Sequence, residues 1–230
     1  MTKSVRTDNR KLDDLRPMKM EVGVIKRADG SAMVEAGETH VVAAVYGPRQ
    51  IHPKHQENAE RAVLRCRYNM LPFSVSDRKR QGYDRRSTEL AKVITEALEP
   101  AVYLEDFPKT VIDIDMEIVQ ADAGTRAAAI NAASLALAHA GIPMRDLVAS
   151  VAAGRANKKL LLDMTKEEED AEDAVDVPMA MMPRSGKITL LQLDGIVSIE
   201  DTEKIISLAE IGCRKIHEMQ KAALRAKYSS

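Results

Sequence analysis

Between Met20 and Tyr46 the apolar residues fall in three short strand-like runs, Met20 to Arg27, Ser31 to Glu35 and Thr39 to Tyr46, divided by Asp29-Gly30 and Gly37. Such runs broken by the hairpin signals Asp-Gly and Gly predict an antiparallel meander of strands. A polar connection from Gly47 to Glu60 leads to another strand-like run, Ala62 to Leu71. There Arg65 and Arg67 share one face, while Leu64 and Cys66 take the other. The charged loop Ser74 to Tyr83 precedes a helix from about Arg86, with Leu90, Val93, Ile94, Ala97 and Leu98 at helical spacing, which Pro100 ends. Val111 to Ile118 alternates: Asp113, Asp115 and Glu117 lie on one face and Ile112, Ile114, Met116 and Ile118 on the other, the pattern of a half-buried strand.

Ala127 to Ala140 is nearly all small or aliphatic, so the helix it predicts has no solvated face and belongs at the centre of the fold. After Gly141-Ile142-Pro143, strands are expected at Leu147 to Ala153, Lys159 to Asp163, Val177 to Met182 and Ile188 to Leu193. A last helix, Thr202 to Ala226, carries the apolar stripe Ile205, Leu208, Ile216, Met219 and Ala223, with acids at its start and bases towards its end. No Gly/Ser/Pro-rich linker and no fixed-period repeat divides the chain. The expectation is one α+β domain over residues 1–230, with an N-terminal extension to about residue 17.

Composition adds bounds. With 230 residues, 45% of them hydrophobic and 30% charged, the chain is long enough for a substantial core. It lacks the apolar run of a signal peptide and any stretch near the ~18 uninterrupted apolar residues of a membrane span, so a cytoplasmic protein is expected. Cys66 and Cys213 read as reduced core residues. The net charge of −1 hides an asymmetry. Arg49 to Lys92 holds eleven cations against five acids, and Asp163 to Asp176 eight acids against one lysine. Each run reads either as a solvated face or as part of a binding surface. Aromatic residues are 3% of the chain and Trp is absent, which argues against a broad base-stacking platform; any nucleic acid would be gripped by its backbone.

Two constellations carry chemistry. Ala121-Asp122-Ala123-Gly124-Thr125-Arg126 joins an alternating strand to the enclosed helix. The first amides of a helix lack internal partners and sit at the positive end of its dipole, so a glycine, a hydroxyl and a guanidinium there suit an anion such as phosphate. The plainer alternative is that Thr125 caps the helix and Arg126 pairs with a surface carboxylate. Asp170 and Asp176 stand six residues apart before an apolar strand, and a loop there could turn both carboxylates to one point. Such a pair could protonate a leaving oxygen or hold Mg²⁺ against phosphate charge. The competing reading is a solvated acidic loop. His52 and His55 lack metal-site partners at a recognisable spacing, and Met179 to Met182 reads as core strand.

Several blocks in order resemble the RNase PH family of phosphorolytic exoribonucleases, and within it the catalytic ring subunits of archaeal exosomes. They are Arg6 to Arg10, Ala28 to Ala32, Ala43 to Pro48, Gln120 to Arg126, Ala133 to Ala138, Gly141 to Leu147 and Leu190 to Gly195. The resemblance implies a fold like the second domain of ribosomal protein S5, and phosphate-dependent 3′-to-5′ release of nucleoside diphosphates from RNA. It puts inorganic phosphate, the co-substrate, on Arg86, Gly124, Thr125 and Arg126, and the acidic pair on Asp170 and Asp176, with Asp176 the general acid and both neighbours of a possible Mg²⁺. RNA would be guided by Arg65 and Arg67, with Arg85, Arg78, Lys79 and Arg80 further candidates. Implied partners are single-stranded RNA 3′ ends, a paralogous non-catalytic RNase PH-like subunit in a hexameric ring, and RNA-binding cap proteins, with no membrane. A bacterial-type enzyme trimming tRNA 3′ ends and a non-catalytic RNA-binding ring subunit are the alternatives. The chain departs from the family at Glu172 to Asp176, where a Gly-Glu-Ala-Asp type of sequence is common, and it has Thr125 where many archaeal relatives have serine.

Overall fold

A computed structural model describes residues 6, 8–77 and 84–229 as an α+β fold of two sheets and four α-helices. The N-terminal meander is β1 (Met18–Val22), β2 (Gly30–Ala36) and β3 (Thr39–Gln50). The alternating segment β5 (Thr110–Gln120) pairs antiparallel with β3 and parallel with β4 (Val63–Met70), giving a five-stranded sheet in the order β1-β2-β3-β5-β4. The parallel register sets Arg65 beside Asp113 and Arg67 beside Asp115. The second sheet is antiparallel, β7-β6-β8-β9, from β6 (Ala149–Ala156), β7 (Lys159–Leu162), β8 (Val175–Met182) and β9 (Lys187–Leu191).

The alanine-rich helix α2 (Thr125–His139) runs between the sheets, packed on β2 and β3 and also on β6 and β8. Its small side chains permit close approach: a Cβ on Gly30 of β2 would stand 2.2 Å from the Ala136 carbonyl oxygen. Two of its buried polar side chains, Asn131 and Ser134, are satisfied towards the second sheet. Asn131 exchanges two hydrogen bonds of 2.8 Å with the backbone of Ser150, and Ser134 Oγ accepts the Val148 N–H at 2.9 Å. Buried polar groups with complete partners keep such a core in one arrangement. The helix α1 (Arg85–Leu98) closes one end of the first core, with Leu90, Ile94, Ala97 and Leu98 buried. The long helix α4 (Ile199–Tyr228) covers the second sheet through Ile205, Ala209, Cys213 and Ile216. Burial pushes the Cys213 thiol up to about 12, as expected of an inert core cysteine. Among the described residues no helix is long and apolar enough to cross a membrane.

Two of the differences from the expected elements have plain local causes. The first strand stops at Val22 rather than Arg27, because Gly23 turns left-handed (φ 78°) and its N–H closes onto the Ser31 carbonyl at 2.8 Å. The acidic segment expected as loop contains one helical turn, α3 (Lys166–Glu169), whose entry is held by the Thr165 N–H donating to the Glu168 carboxylate at 2.9 Å.

Candidate active site

The strand β5 delivers the chain to a turn, Asp122-Ala123-Gly124, and α2 starts from it. Gly124 precedes the helix in left-handed geometry (φ 64°), which glycine adopts without steric cost and which brings the helix N-terminus to the surface of a cleft. Gly124 has no side chain to cap the leading amides, so they are presented to whatever occupies the cleft. Thr125 lies in the wall, where its hydroxyl accepts a hydrogen bond from the Tyr68 hydroxyl at 2.8 Å. Arg126 reaches Gln192 with one terminal nitrogen, while its buried Nε has no partner among the described residues.

The opposite wall comes from the acidic segment and the second sheet. Asp176 sits in β8, its backbone exchanging two 2.9 Å hydrogen bonds with Asp194. Its Oδ1 is buried without a hydrogen-bond partner among the described residues. Burial raises the Asp176 carboxyl above its ordinary range, nearby Arg126 pulls the other way and Asp194 adds to the rise. Burial likewise, together with Asp176, pushes Glu169 up to about 7, against the pull of Lys166, the Gly124 amide and Arg16. Glu169 is therefore close to both Asp176 and the N-terminus of α2.

These walls enclose a cleft of about 900 Å³. Its lining includes Arg85, Arg86, Gly124, Thr125, Arg126 and Asp176, which the sequence singles out, and also Glu169, Lys166, Glu89 and Asp194. Arg85 and Arg86 occupy the first turn of α1, whose N-cap Asp84 accepts the Ser87 N–H at 2.6 Å. The helices thus bring two N-termini and three guanidiniums to one space, an arrangement that attracts phosphate groups.

Asp170 does not line the cleft. It follows α3 on the outside, paired with Lys166 at 2.5 Å. Glu169, the last residue of the one-turn helix, lines the cleft instead. Arg65 and Arg67 are outside the cleft lining, exposed on β4 at the sheet edge, where they pair with Asp113 at 2.5 Å and Asp115 at 2.9 Å. Arg78, Lys79 and Arg80 lie outside the described residues. Among the described residues no three His, Cys, Asp or Glu side chains gather as a metal-holding group.

Residues 14–143 match the model of the 3′ exoribonuclease family (RNase PH), domain 1, and residues 146–212 match that of domain 2. The chain belongs to the RNase PH family. An exosome complex component Rrp41 of Thermococcus onnurineus is 57% identical over 223 residues, covering 97% of this chain and 89% of that protein. The Rrp41 proteins of Methanopyrus kandleri and Nitrosopumilus maritimus are 54% and 49% identical, each across 97% of this chain and covering 93% and 91% of their own length. The fold matches rice Rrp46 with a TM-score of 0.86 at 25% identity, covering 96% of this chain and all of that one. It also matches an Archaeoglobus fulgidus exosome structure with RNA bound to the active site, TM-score 0.80 at 24% identity, covering 94% of this chain and 92% of that one.

Within this RNase PH chain, sequence reasoning passed over Tyr68 and Glu169. Tyr68 falls on the Leu64 and Cys66 face of β4, so it reads as core, and nothing local marks its hydroxyl as reaching α2. Glu169 had a usable signal: Thr165 followed three residues later by Glu168 is a capping box, which announces a helical turn and rotates the next carboxylates away from a shared direction.

Proposed function

We propose that this chain is a phosphorolytic 3′-to-5′ exoribonuclease subunit of an archaeal exosome. The observation that carries the reading is the cleft itself. Arg86, Arg126 and the uncapped start of α2 face a buried Asp176 whose carboxyl is raised towards its protonated form. In the proposed reaction an oxygen of inorganic phosphate, held by Arg86, Gly124, Thr125 and Arg126, attacks the phosphorus of the terminal phosphodiester in line. The new P–O bond forms as the P–O3′ bond breaks, Asp176 gives its proton to the departing 3′-oxygen, and a nucleoside diphosphate leaves. Most of the acceleration would come from positioning and charge neutralisation, as in phosphoryl transfer generally.

The unpartnered Oδ1 of Asp176 is a hard oxygen donor in the wall of the cleft, which fits Mg²⁺, an ion usually bound by one or two carboxylates plus substrate phosphates. Glu169, the carboxylate that shares its cleft, would hold the ion in the position that spacing and the family resemblance assign to Asp170, leaving Asp176 beside it to keep the proton it gives to the 3′-oxygen. When bound, Mg²⁺ would supply further charge neutralisation. Arg65 and Arg67, exposed on the edge strand, would hold RNA phosphates upstream of the cut, with Arg85 at the cleft mouth.

The likeness to Rrp41 exosome components supports an assembly in which a paralogous RNase PH-like subunit completes a hexameric ring and RNA-binding cap proteins sit upon it. The exposed Ile188 and Leu191 of the edge strand β9, with Leu193, Ile196 and Ile199 beyond it, offer apolar surface to such a partner. Cytoplasmic location belongs to the same reading. The test is end-labelled RNA with Mg²⁺, with and without inorganic phosphate: nucleoside diphosphates should appear only with phosphate. Monophosphates released without phosphate would make the enzyme a hydrolase.

A further inference from the structure

The turn that aims α2 into the cleft is not at rest by itself. Ala123 (φ 58°) and Gly124 (φ 64°) are both left-handed; glycine accepts this freely, but for alanine it is an uncommon and strained conformation. Two buried side chains from other elements grip the turn. Thr39, fully buried at the start of β3, accepts the Asp122 N–H at 2.9 Å and donates to the Ala123 carbonyl at 2.8 Å. Arg16, whose side chain is 5% exposed, donates Nη1 to the Asp122 carbonyl. Its Nε and Nη2 bind the Asp163 carboxylate at 3.1 and 2.8 Å, and its own N–H donates to the same carboxylate at 2.7 Å.

Asp163 follows β7 and leads into α3 and Glu169, so Arg16 ties the root of the acidic segment to the turn below the anion site. The guanidinium also lies under Gly124, where an added Cβ would stand 2.9 Å from Nη2. The guanidinium, its charge paired with Asp163, is thereby held in a buried place close to the amides without contacting the cleft, whose lining does not include Arg16 or Thr39.

We propose that Thr39 and Arg16 are positioning residues for phosphate binding: they hold the Asp122-Ala123-Gly124 turn in its left-handed form, and Arg16 ties that turn to Asp163. The proposal rests on the reading of the cleft as a phosphate site. A strained turn persists only where its surroundings over-determine it, and here the determinants are three hydrogen bonds made by two side chains. Loosening them would misdirect the first amides of α2 while leaving the RNA-facing strand β4 as it is.

The experiment uses the full chain as purified and follows three quantities: the Kd for inorganic phosphate by calorimetry, the Kd for RNA, and KM for phosphate against kcat. Thr39→Val removes the hydroxyl, Thr39→Ser keeps it, and Arg16→Lys keeps a charge but cannot span Asp163 and Asp122 together. Loss of the Thr39 bonds should raise the phosphate Kd and KM roughly tenfold, with RNA affinity and kcat at saturating phosphate within about twofold of wild type. Thr39→Ser should restore phosphate binding, a rescue that a purely bulk packing role would not require. Arg16→Lys should give the same split and decides the matter if Thr39→Val does not fold. Folded variants that bind phosphate like wild type would overturn the proposal. A wild-type protein that binds no phosphate would instead overturn the phosphate reading of the cleft on which it rests.

Discussion

The Tyr68 hydroxyl donates to the Thr125 hydroxyl at 2.8 Å in the wall of the cleft, joining the strand that carries Arg65 and Arg67 to the first residue of α2. With Tyr68 as donor, the hydrogen of Thr125 is left for another acceptor, which in the proposed reaction is the phosphate. Burial holds the tyrosine above its ordinary range, so it remains a phenol and a donor at neutral pH, even though Thr125, Arg86 and Arg126 pull it down.

Tyr68→Phe removes this donor and keeps the ring. A hydrogen bond of this kind contributes about 1 kcal/mol, so KM for phosphate should rise roughly fivefold while RNA affinity stays constant. The check is steady-state kinetics with phosphate varied at fixed RNA. An unchanged KM would mean that Thr125 is oriented without Tyr68.

Asp176→Asn preserves shape and removes the proton donor. Turnover should fall by about 10²–10⁴, the range for general acid catalysis, with RNA binding intact by filter or fluorescence assay. Because burial raises the Asp176 carboxyl, the protonated and active form persists to higher pH than an ordinary aspartate would allow, and single-turnover rates should decline as pH rises through that raised value. A variant with full turnover would assign the proton to another group.

Glu169 provides a test in stability. Its carboxyl is pushed by burial and by Asp176 from 4.5 to about 7. A carboxyl raised on folding ionises more readily in the unfolded chain, so it costs nothing at pH well below the unfolded value of 4.5. The cost grows as pH climbs to about 7 and is constant above. Glu169→Gln removes that cost. Its Tm should match wild type at about pH 4 and exceed it by about 2–4 °C at about pH 8, after discounting for partial exposure. The same increment at both pH values would show that the gain comes from packing and not from charge.

What the chain disclosed in advance follows from the range of each signal. The alternation in Thr110–Gln120 and the alanine-rich run in Thr125–His139 are local, so strand, helix and the junction between them are legible, and with them Gly124, Thr125 and Arg126. Parallel pairing of β4 with β5 is non-local, and it is what sets Arg65 and Arg67 against Asp113 and Asp115. In the acidic segment a local feature adds to spacing: after the one helical turn Lys166–Glu169, Asp170 pairs with Lys166, and it is Glu169 that lines the cleft with Asp176. Thr39 and Arg16 act on a turn 83 and 106 residues away, a relation no periodicity contains.

The arginines of β4 make the last prediction. In the free chain Arg65 and Arg67 are partly neutralised by Asp113 and Asp115, so RNA phosphates must compete with carboxylates already in place. The competition differs between the two. Asp113 is buried, and although burial works against it, hydrogen bonds from Arg65 and Arg49 hold it below its ordinary range, so it stays ionised through all working pH. The Asp115 side chain is 32% exposed against 10% for Asp113, so its pairing with Arg67 yields more readily to solvent and salt. Replacing both arginines by alanine should weaken RNA binding and lower the slope of log K against log salt by about 1.4, near 0.7 for each single-strand phosphate no longer neutralised, with phosphate Kd unchanged. Asp115→Asn, which removes the carboxylate opposite Arg67 without disturbing the buried Asp113, should strengthen RNA binding at low salt. A slope unaltered by the double replacement would place the RNA path on another face.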